Sequence, residues 1–231
     1  MIIDMHLHTE RYSICAGMSP DAMARTAVAR GLDGVVLTEH DVLWPESELH
    51  ALRARHPDLT ILRGIEVNTR AGHALAYGIT RTVTATFSDR MPLRALTRRV
   101  HEAGGIVILA HPARYNDRLP RAVYRANLDG LEVRSFNIRG YMQRPIETLQ
   151  TDLDLPGIAG TDAHTTDVLG LYATDFDVPI ETETDLVAAF KARAYSLTGD
   201  SARIRALNAD LGDPDERLLH LTASQKHEAI T

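Results

Sequence analysis

The runs GVVL (34–37) and IVIL (106–109) carry no polar residue at any position. A strand with one wet face alternates polar and apolar residues, whereas a strand covered on both faces does not. These runs therefore call for a sheet with a layer on each side. Around them the chain alternates short apolar or β-branched runs with helical stretches. Seven segments read as strands: MIIDMHLH, GVVLTEH, LTILRGIEVN, HALAYGI, IVILAHP, LDGLEVRS and GIAGTDAH. Ser19, Pro20 and Asp21 supply the cap, first turn and N-terminal acid of a helix that ends at Gly31 and turns Met23, Ala27 and Val28 inward. Pro45 opens a second helix with Leu49 and Leu52. MPLRALTRRVHEAGG places Leu93, Leu96 and Val100 at helical spacing, and a helix from about Thr184 to Ala194 carries Leu186, Val187 and Phe190 on one side. Repeated β-then-α order predicts parallel strands with helices outside. Seven such units closed on themselves make an α/β barrel; an open doubly wound sheet is the alternative.

A chain of 231 residues suits one such domain, here residues 1–199. Residues 200–231 read as a C-terminal extension, either an amphipathic helix or a mobile tail. No apolar run nears the ~20 residues of a membrane span, and no basic segment precedes an apolar one as in a signal peptide. The single cysteine cannot close an internal disulfide. These features predict a cytoplasmic protein with no membrane partner; oligomeric state has no signature. A net charge of −6 disfavours long nucleic acid, which calls for a basic stripe. The bases are nearly all arginine, eleven of them between Arg90 and Arg144, and a guanidinium fork suits phosphate.

Of eleven histidines, His50, His56 and His101 fall on predicted helices and His220 and His227 in the extension. The other six, His6, His8, His40, His73, His111 and His164, fall at strand ends or starts, as do Glu66 and Asp162. Barrel enzymes build their sites at the C-terminal rim. Gathering so many titratable groups costs several kcal/mol unless something compensates, and divalent metal does so. On a strand, residues i and i+2 share a side. His6 and His8 are thus expected to face one ion, with Asp4 on the same face behind them. TDAH repeats the spacing for Asp162 and His164. Glu66 has two oxygens with which to bridge two ions, and Pro112 ends the strand that presents His111.

The ordered set DMHLH, TEH, GIE, GH, AHP and TDAH resembles the PHP (polymerase and histidinol phosphatase) domain, from Met1 to about Ser196. GGIVILAHPARY, DGLEVRSFN and GIAGTDAHTTDVLG resemble its free-standing bacterial members most. The resemblance implies a distorted seven-stranded, TIM-like β/α barrel with two or three divalent ions on its C-terminal rim. It implies a first ion on His6, His8, Glu66 and Asp162. Glu66 would bridge to a second on His73 and His111, and His40 and His164 would hold a third or join the second. The family's ninth ligand is an aspartate, glutamate or histidine in the loop after the first two histidines. Here that loop reads ERYSICAGMSPD; Cys15 aligns best, and Glu10 is the nearest acid. Imidazole with carboxylate suits zinc, manganese or iron(II), and a thiolate would bias its subsite to zinc. The other reading of Cys15 is a small side chain without a metal role.

The implied reaction is hydrolysis of a small phosphate ester (a phosphomonoester, nucleotide or short oligonucleotide) by metal-bound hydroxide. Asp162 and His111 would stand at the reacting centre, Asp162 also handling a proton. Arg114 is the first choice for a phosphate-binding arm, Arg134 the second and Arg11 the third. Glu132 and Asn137 are expected to line the pocket or hold a ligand histidine. Ser13 and Cys15 lack the surroundings of a covalent nucleophile. Two other readings stay open: a metal-dependent hydrolase of a non-phosphate, amidohydrolase-like substrate, and a non-catalytic metal-binding regulatory protein.

Overall fold

A computed structural model describes residues 1–81, 90–114 and 119–211. Its elements are β1 (Ile2–Leu7), α1 (Pro20–Ala29), β2 (Gly34–Leu37), α2 (Glu46–Arg55), β3 (Thr60–Thr69), β4 (Gly72–Tyr77) and α3 (Leu93–Glu102). They continue with β5 (Ile106–Leu109), β6 (Gly130–Arg134), α4 (Gly140–Leu153), β7 (Gly157–Ala159), β8 (Tyr172–Phe176), α5 (Glu183–Lys191), β9 (Tyr195–Gly199) and α6 (Ser201–Leu211). The strands form one sheet in the order β7-β6-β5-β4-β3-β2-β1-β8-β9. The segment after β7 then returns to β1. Asp162 N donates to His6 O at 2.7 Å, His8 N donates to Ala163 O at 2.9 Å, and Leu7 bridges Ala163 in parallel. The sheet is a nearly closed, distorted β/α barrel of seven strands, with β8 and β9 continuing past β1.

Not every strand runs the same way. β4 is antiparallel to both β3 and β5, and β8 is antiparallel to β1 and β9. The all-parallel expectation fails at β4 because only Arg70 and Ala71 separate it from β3, too short for a crossover. Its reversal has a functional effect. The first residues of β4 lie at the rim where β1, β2, β3 and β5 end, so His73 reaches that rim from a strand start.

Fully buried apolar residues fill the barrel and the layer around it. Ile3, Met5, Val36, Leu62, Leu75, Tyr77 and Ile158 pack with Leu186 and Phe190 of α5. Val35, Leu37 and Ile61 face the other way, against Met23 and Ala27 of α1 and Leu49 and Leu52 of α2. Ser19 caps α1 as expected, accepting from Ala22 N at 3.2 Å. Val28 departs from expectation: it is 45% exposed, and Ala24 takes the inward place beside Met23 and Ala27. The extension begins as helix α6, pinned by Arg203, whose Nη2 donates to Asp167 O at 2.6 Å. The rest of the extension, with His220 and His227, lies outside the described residues. No helix among the described residues is long and apolar enough to cross a membrane.

Candidate metal centre

Two slips of register shape the rim. In β1 the pairing with β2 shifts between Asp4 and Leu7. Such a shift turns a strand's side chains over. Ile3 and Met5 face the barrel core by ordinary alternation, and past the slip His6 and His8 enter the rim while Leu7 packs outward among α1 and α2 residues. Asp4 does not share the histidines' face. It accepts from Thr161 N at 2.7 Å, from Gly170 N at 3.1 Å and from the Thr161 hydroxyl, and so secures the loop that carries Asp162. Burial lifts its carboxyl to about 6, against the pull of those hydrogen bonds. In β6 the register slips between Glu132 and Arg134. Glu132 points in, while Arg134 is exposed beside Tyr172 and does not line the cavity described below.

The strands end earlier than the sequence predicts, and the ligand candidates sit just past them. β5 stops at Leu109 and β7 at Ala159. His111 and Asp162 then adopt φ of 24° and 55°, a region costing roughly 1–3 kcal/mol for such residues. The contorted segments are held in place: His111 N donates to Glu132 Oε2 at 2.8 Å, and Asp162 N to His6 O. Asp162 and His164 thus converge through a left-handed turn, not through strand alternation. Gly160 lets the segment press on β1; a Cβ there would lie 2.7 Å from His6 N and 2.8 Å from His6 Cβ.

Four buried groups meet at one point. His6 Nε2 and His8 Nε2 lie 3.1 Å apart. From His6 Nε2 it is 3.4 Å to Glu66 Oε2 and 3.3 Å to Asp162 Oδ1. From His8 Nε2 both distances are 3.1 Å. Bonds of about 2.0–2.2 Å to a tetrahedral ion would put ligand atoms roughly 3.3–3.6 Å apart. Glu66 Oε2 and Asp162 Oδ1 are buried without a hydrogen-bond partner, an arrangement a protein rarely keeps without compensation.

The tautomers follow from the outer partners. His6 Nδ1 lies 2.9 Å from Glu132 Oε1, an acceptor, so the neutral ring keeps its proton on Nδ1 and has Nε2 free to ligate. Ser13 gives its one hydroxyl proton to Glu39 Oε2 at 2.6 Å. It can therefore only accept from His8 Nδ1 at 3.2 Å, which places the proton of a neutral His8 ring on Nδ1 and has its Nε2 free to ligate as well. Glu39 is anchored in turn by Thr9 and Trp44 Nε1. Ser13 thus stands between acid and imidazole, buried and with its proton given to Glu39, as a support for His8. Carboxylate behind imidazole is the usual support of a metal-binding histidine.

Glu66 divides its oxygens. Oε1 faces His73 Nδ1 at 2.9 Å and His111 Nε2 at 3.0 Å, and Oε2 faces His40 Nδ1 at 3.0 Å as well as the first group. Two further sets, His40 with Glu66 and His73, and His8 with His40 and His164, bring their ligand atoms within 4.8 Å of one another. Cys15 is exposed, and the His164 and His40 imidazoles act on its thiol. Burial raises its thiol, but those imidazoles prevail and bring it down to about 6. Burial likewise opposes ionisation of Glu66 and Asp162, yet the surrounding histidines hold both carboxyls well below the usual range. The donor set fits divalent cations, whose charge would replace the protons these imidazoles otherwise keep.

Around the rim lies a cavity of about 770 Å³. Arg114 lines it, 3.4 Å from Asp162 Oδ2, and Asn137 Nδ2 donates to the same oxygen at 2.6 Å. An oxygen so engaged is a weak proton acceptor. Arg11 turns away to Glu48, at 2.8 Å, and Glu10 is exposed on the same loop. Sequence reasoning missed Arg70 and Arg90, which line the cavity, and the Glu39–Ser13–His8 chain. For Glu39 the TEH motif was the available signal.

A PHP-associated family model matches residues 144–195. No curated protein matches the chain. Among solved structures, PsfC from Pseudomonas syringae is similar at 17% identity and a TM-score of 0.64, over 89% of this chain and 94% of that one. A Bacteroides vulgatus two-domain protein containing a predicted PHP-like metal-dependent phosphoesterase is similar at 18% identity and a TM-score of 0.61, over 86% and 64%. An amidohydrolase from Chromobacterium violaceum is similar at 17% identity and a TM-score of 0.59, over 85% and 97%.

Proposed function

We propose that this chain is a PHP-domain protein, a reading its barrel and its PHP-associated segment support, and that it is a metal-dependent phosphoesterase acting on a small phosphate ester. One observation carries the reading. Two imidazole nitrogens oriented to ligate and two buried carboxylate oxygens that no hydrogen bond satisfies converge beside a cavity lined by arginines and, among the described residues, by no acid.

His6, His8, Glu66 and Asp162 would hold one ion. Glu66 would share a second with His40, His73 and His111, and a third would lie on His40 and His164 with Cys15. Zinc, manganese and iron(II) suit such donors. Bound divalent ions would acidify a water and draw charge from the phosphate oxygens. The chain's own groups do the rest. Glu132 and Ser13 keep His6 and His8 in the ligating tautomer. Asn137 and Arg114 hold Asp162 Oδ2, which would leave Oδ1 for an ion and make Asp162 a ligand more than a base. Arg114 offers its guanidinium to a phosphate next to that carboxylate. The Bacteroides vulgatus neighbour supports phosphate-ester chemistry; the Chromobacterium violaceum amidohydrolase gives a second reading, cleavage of an amide-like bond.

The purified protein is to be analysed for metal, then assayed with manganese or zinc against p-nitrophenyl phosphate, bis-p-nitrophenyl phosphate, nucleotides, short oligonucleotides and a panel of amides. The expected result is at least one ion per chain, turnover of a phosphate ester, and loss of that turnover in D162N and H111A with the fold retained. Less than one ion per chain, or turnover confined to amides, would refute the proposal.

A further inference from the structure

The cavity is much larger than one phosphate group requires, and its volume falls in the ~300–1,000 Å³ range of sites for whole small molecules. Its metal side carries His40, His73, His111 and His164. Two further cations line it from other parts of the chain. Arg70 sits in the turn between β3 and β4, and Arg90 immediately precedes the segment that leads into α3. The two segments are stitched together: Arg70 N donates to Met91 O at 3.2 Å and Arg70 Nε to Arg90 O at 2.9 Å. Tying Nε fixes the plane of the Arg70 guanidinium and leaves its outer edge for another partner. Among the described residues, neither guanidinium meets a carboxylate, and no aspartate or glutamate lines the cavity. Leu119 and Pro120 add an apolar stretch of wall. A site of this kind has a place for one anion at the metal ligands and Arg114, a place for another at Arg70 and Arg90, and apolar surface for carbon.

We propose that Arg70 and Arg90 form a second anion subsite, so that the substrate is a phosphate ester bearing another anionic group, either phosphate or carboxylate. This rests on the phosphoesterase reading above. A lone exposed arginine is ordinary. Here two from separate segments converge on the cavity that holds the metal ligands, and one has its orientation fixed by a backbone carbonyl.

The test is a molecular ruler. Alkanediol bisphosphates and ω-carboxyalkyl phosphates of increasing chain length are compared with alkyl monophosphates of the same length, for the wild type, R90A and the R70A/R90A pair. R90A guards against misfolding, because the Arg90 side chain anchors no described backbone. At one chain length, kcat/KM should exceed that of the matched monophosphate by about tenfold or more, the order of a charge-assisted pair. R90A should cut that ratio, and the pair should bring it near one. Gain in the bisphosphate arm, the carboxylate arm or both supports the subsite and identifies the second group. A wild-type ratio within threefold of one at every length overturns the inference, as does a preference that survives in the pair. If metal binds and no phosphate ester is hydrolysed, the phosphoesterase reading fails. Calorimetric titration with the same compounds still tests the subsite. Tighter binding of the doubly anionic compound, lost in the pair, supports it; equal affinities overturn it.

Discussion

Glu132→Gln tests whether the outer hydrogen bonds set the ligating state of the centre. Glu132 is buried, and its two oxygens serve different partners. Oε1 accepts His6 Nδ1–H at 2.9 Å, and Oε2 accepts His111 N–H at 2.8 Å. Glutamine keeps the shape but has one oxygen and one NH2. With its oxygen on His6, the NH2 faces the His111 N–H, donor against donor. With its oxygen on His111, the NH2 faces His6 Nδ1, which must then be bare. The His6 proton moves to Nε2, where it points at Glu66 and Asp162 and blocks the metal. Either way a buried group is mismatched, at a cost of about 1–3 kcal/mol. That corresponds to roughly 5–150-fold in a binding constant, in line with the roughly 10–100-fold typical when such a partner of a ligand is lost. The assay is titration of chelator-stripped protein with zinc or manganese against a chromophoric competitor, with circular dichroism to check the fold. E132Q should bind its tightest ion about 10–100-fold more weakly. An affinity within threefold of wild type would refute the tautomer argument.

Gly160→Ala would push a methyl onto His6 N and Cβ, atoms of a buried strand that cannot swing aside. A loss of about 1–3 kcal/mol in stability is expected, together with weaker metal binding; an unchanged melting temperature contradicts the packing. In the metal-free protein, burial lowers His40, but Cys15 and Glu66 outweigh it and raise the imidazole from 6.5 to about 10. Its stabilising contribution is full below about 6.5 and is lost as pH rises through about 10. Glu66 and Asp162, depressed from 4.5 and 3.8, contribute above those values and lose the contribution in acid. The metal-free melting temperature should therefore fall in acid, as Glu66 and Asp162 take up protons, and decline toward pH 10 as His40 loses its own; the Cys15 thiol, held down to about 6, offsets part of that decline between about pH 6 and 9. A melting temperature unchanged from neutral pH to about pH 4 would count against the charge balance described here. Cys15→Ser should lower the zinc held per chain and shift preference toward manganese, as softness dictates; an unchanged zinc count would assign the thiol to the loop alone.

The barrel was readable where burial on both faces left its mark, in GVVL and IVIL, and where caps punctuate, at Ser19 and Pro45. The direction of β4 was harder. HALAYGI reads as a strand either way up, and the four-residue gap at Thr69–Gly72, which ends in glycine, was the sign of a hairpin. Helix α4 was hidden by Gly140 at its start and Pro145 within it. β8 and β9, YATDF and YSLTG, lack the apolar runs of the inner strands. At the site, residue types and order pointed to the cluster because imidazole and carboxylate seldom gather otherwise. Facing was less accessible. Strand periodicity put Asp4 with His6 and Arg134 with Glu132, and a register slip separates both pairs. Arg70 and Arg90 carry no local pattern; only the fold brings a turn and a helix approach to the same cavity.

The joint between β1 and the segment after β7 is narrow, made by a few backbone hydrogen bonds around Leu7 and Ala163. The first metal group straddles that joint, with His6 and His8 on one side and Asp162 on the other. An ion there would be a clasp as well as a cofactor. Its ligands would come from opposite ends of the barrel sequence, so a growing chain could not assemble the clasp until the last barrel strand had been made. Loading would follow folding, and unloading would free the seam before it freed the wall. Amides of β1 and of the 160–163 segment should therefore be the first to lose hydrogen-exchange protection when the ion is withdrawn.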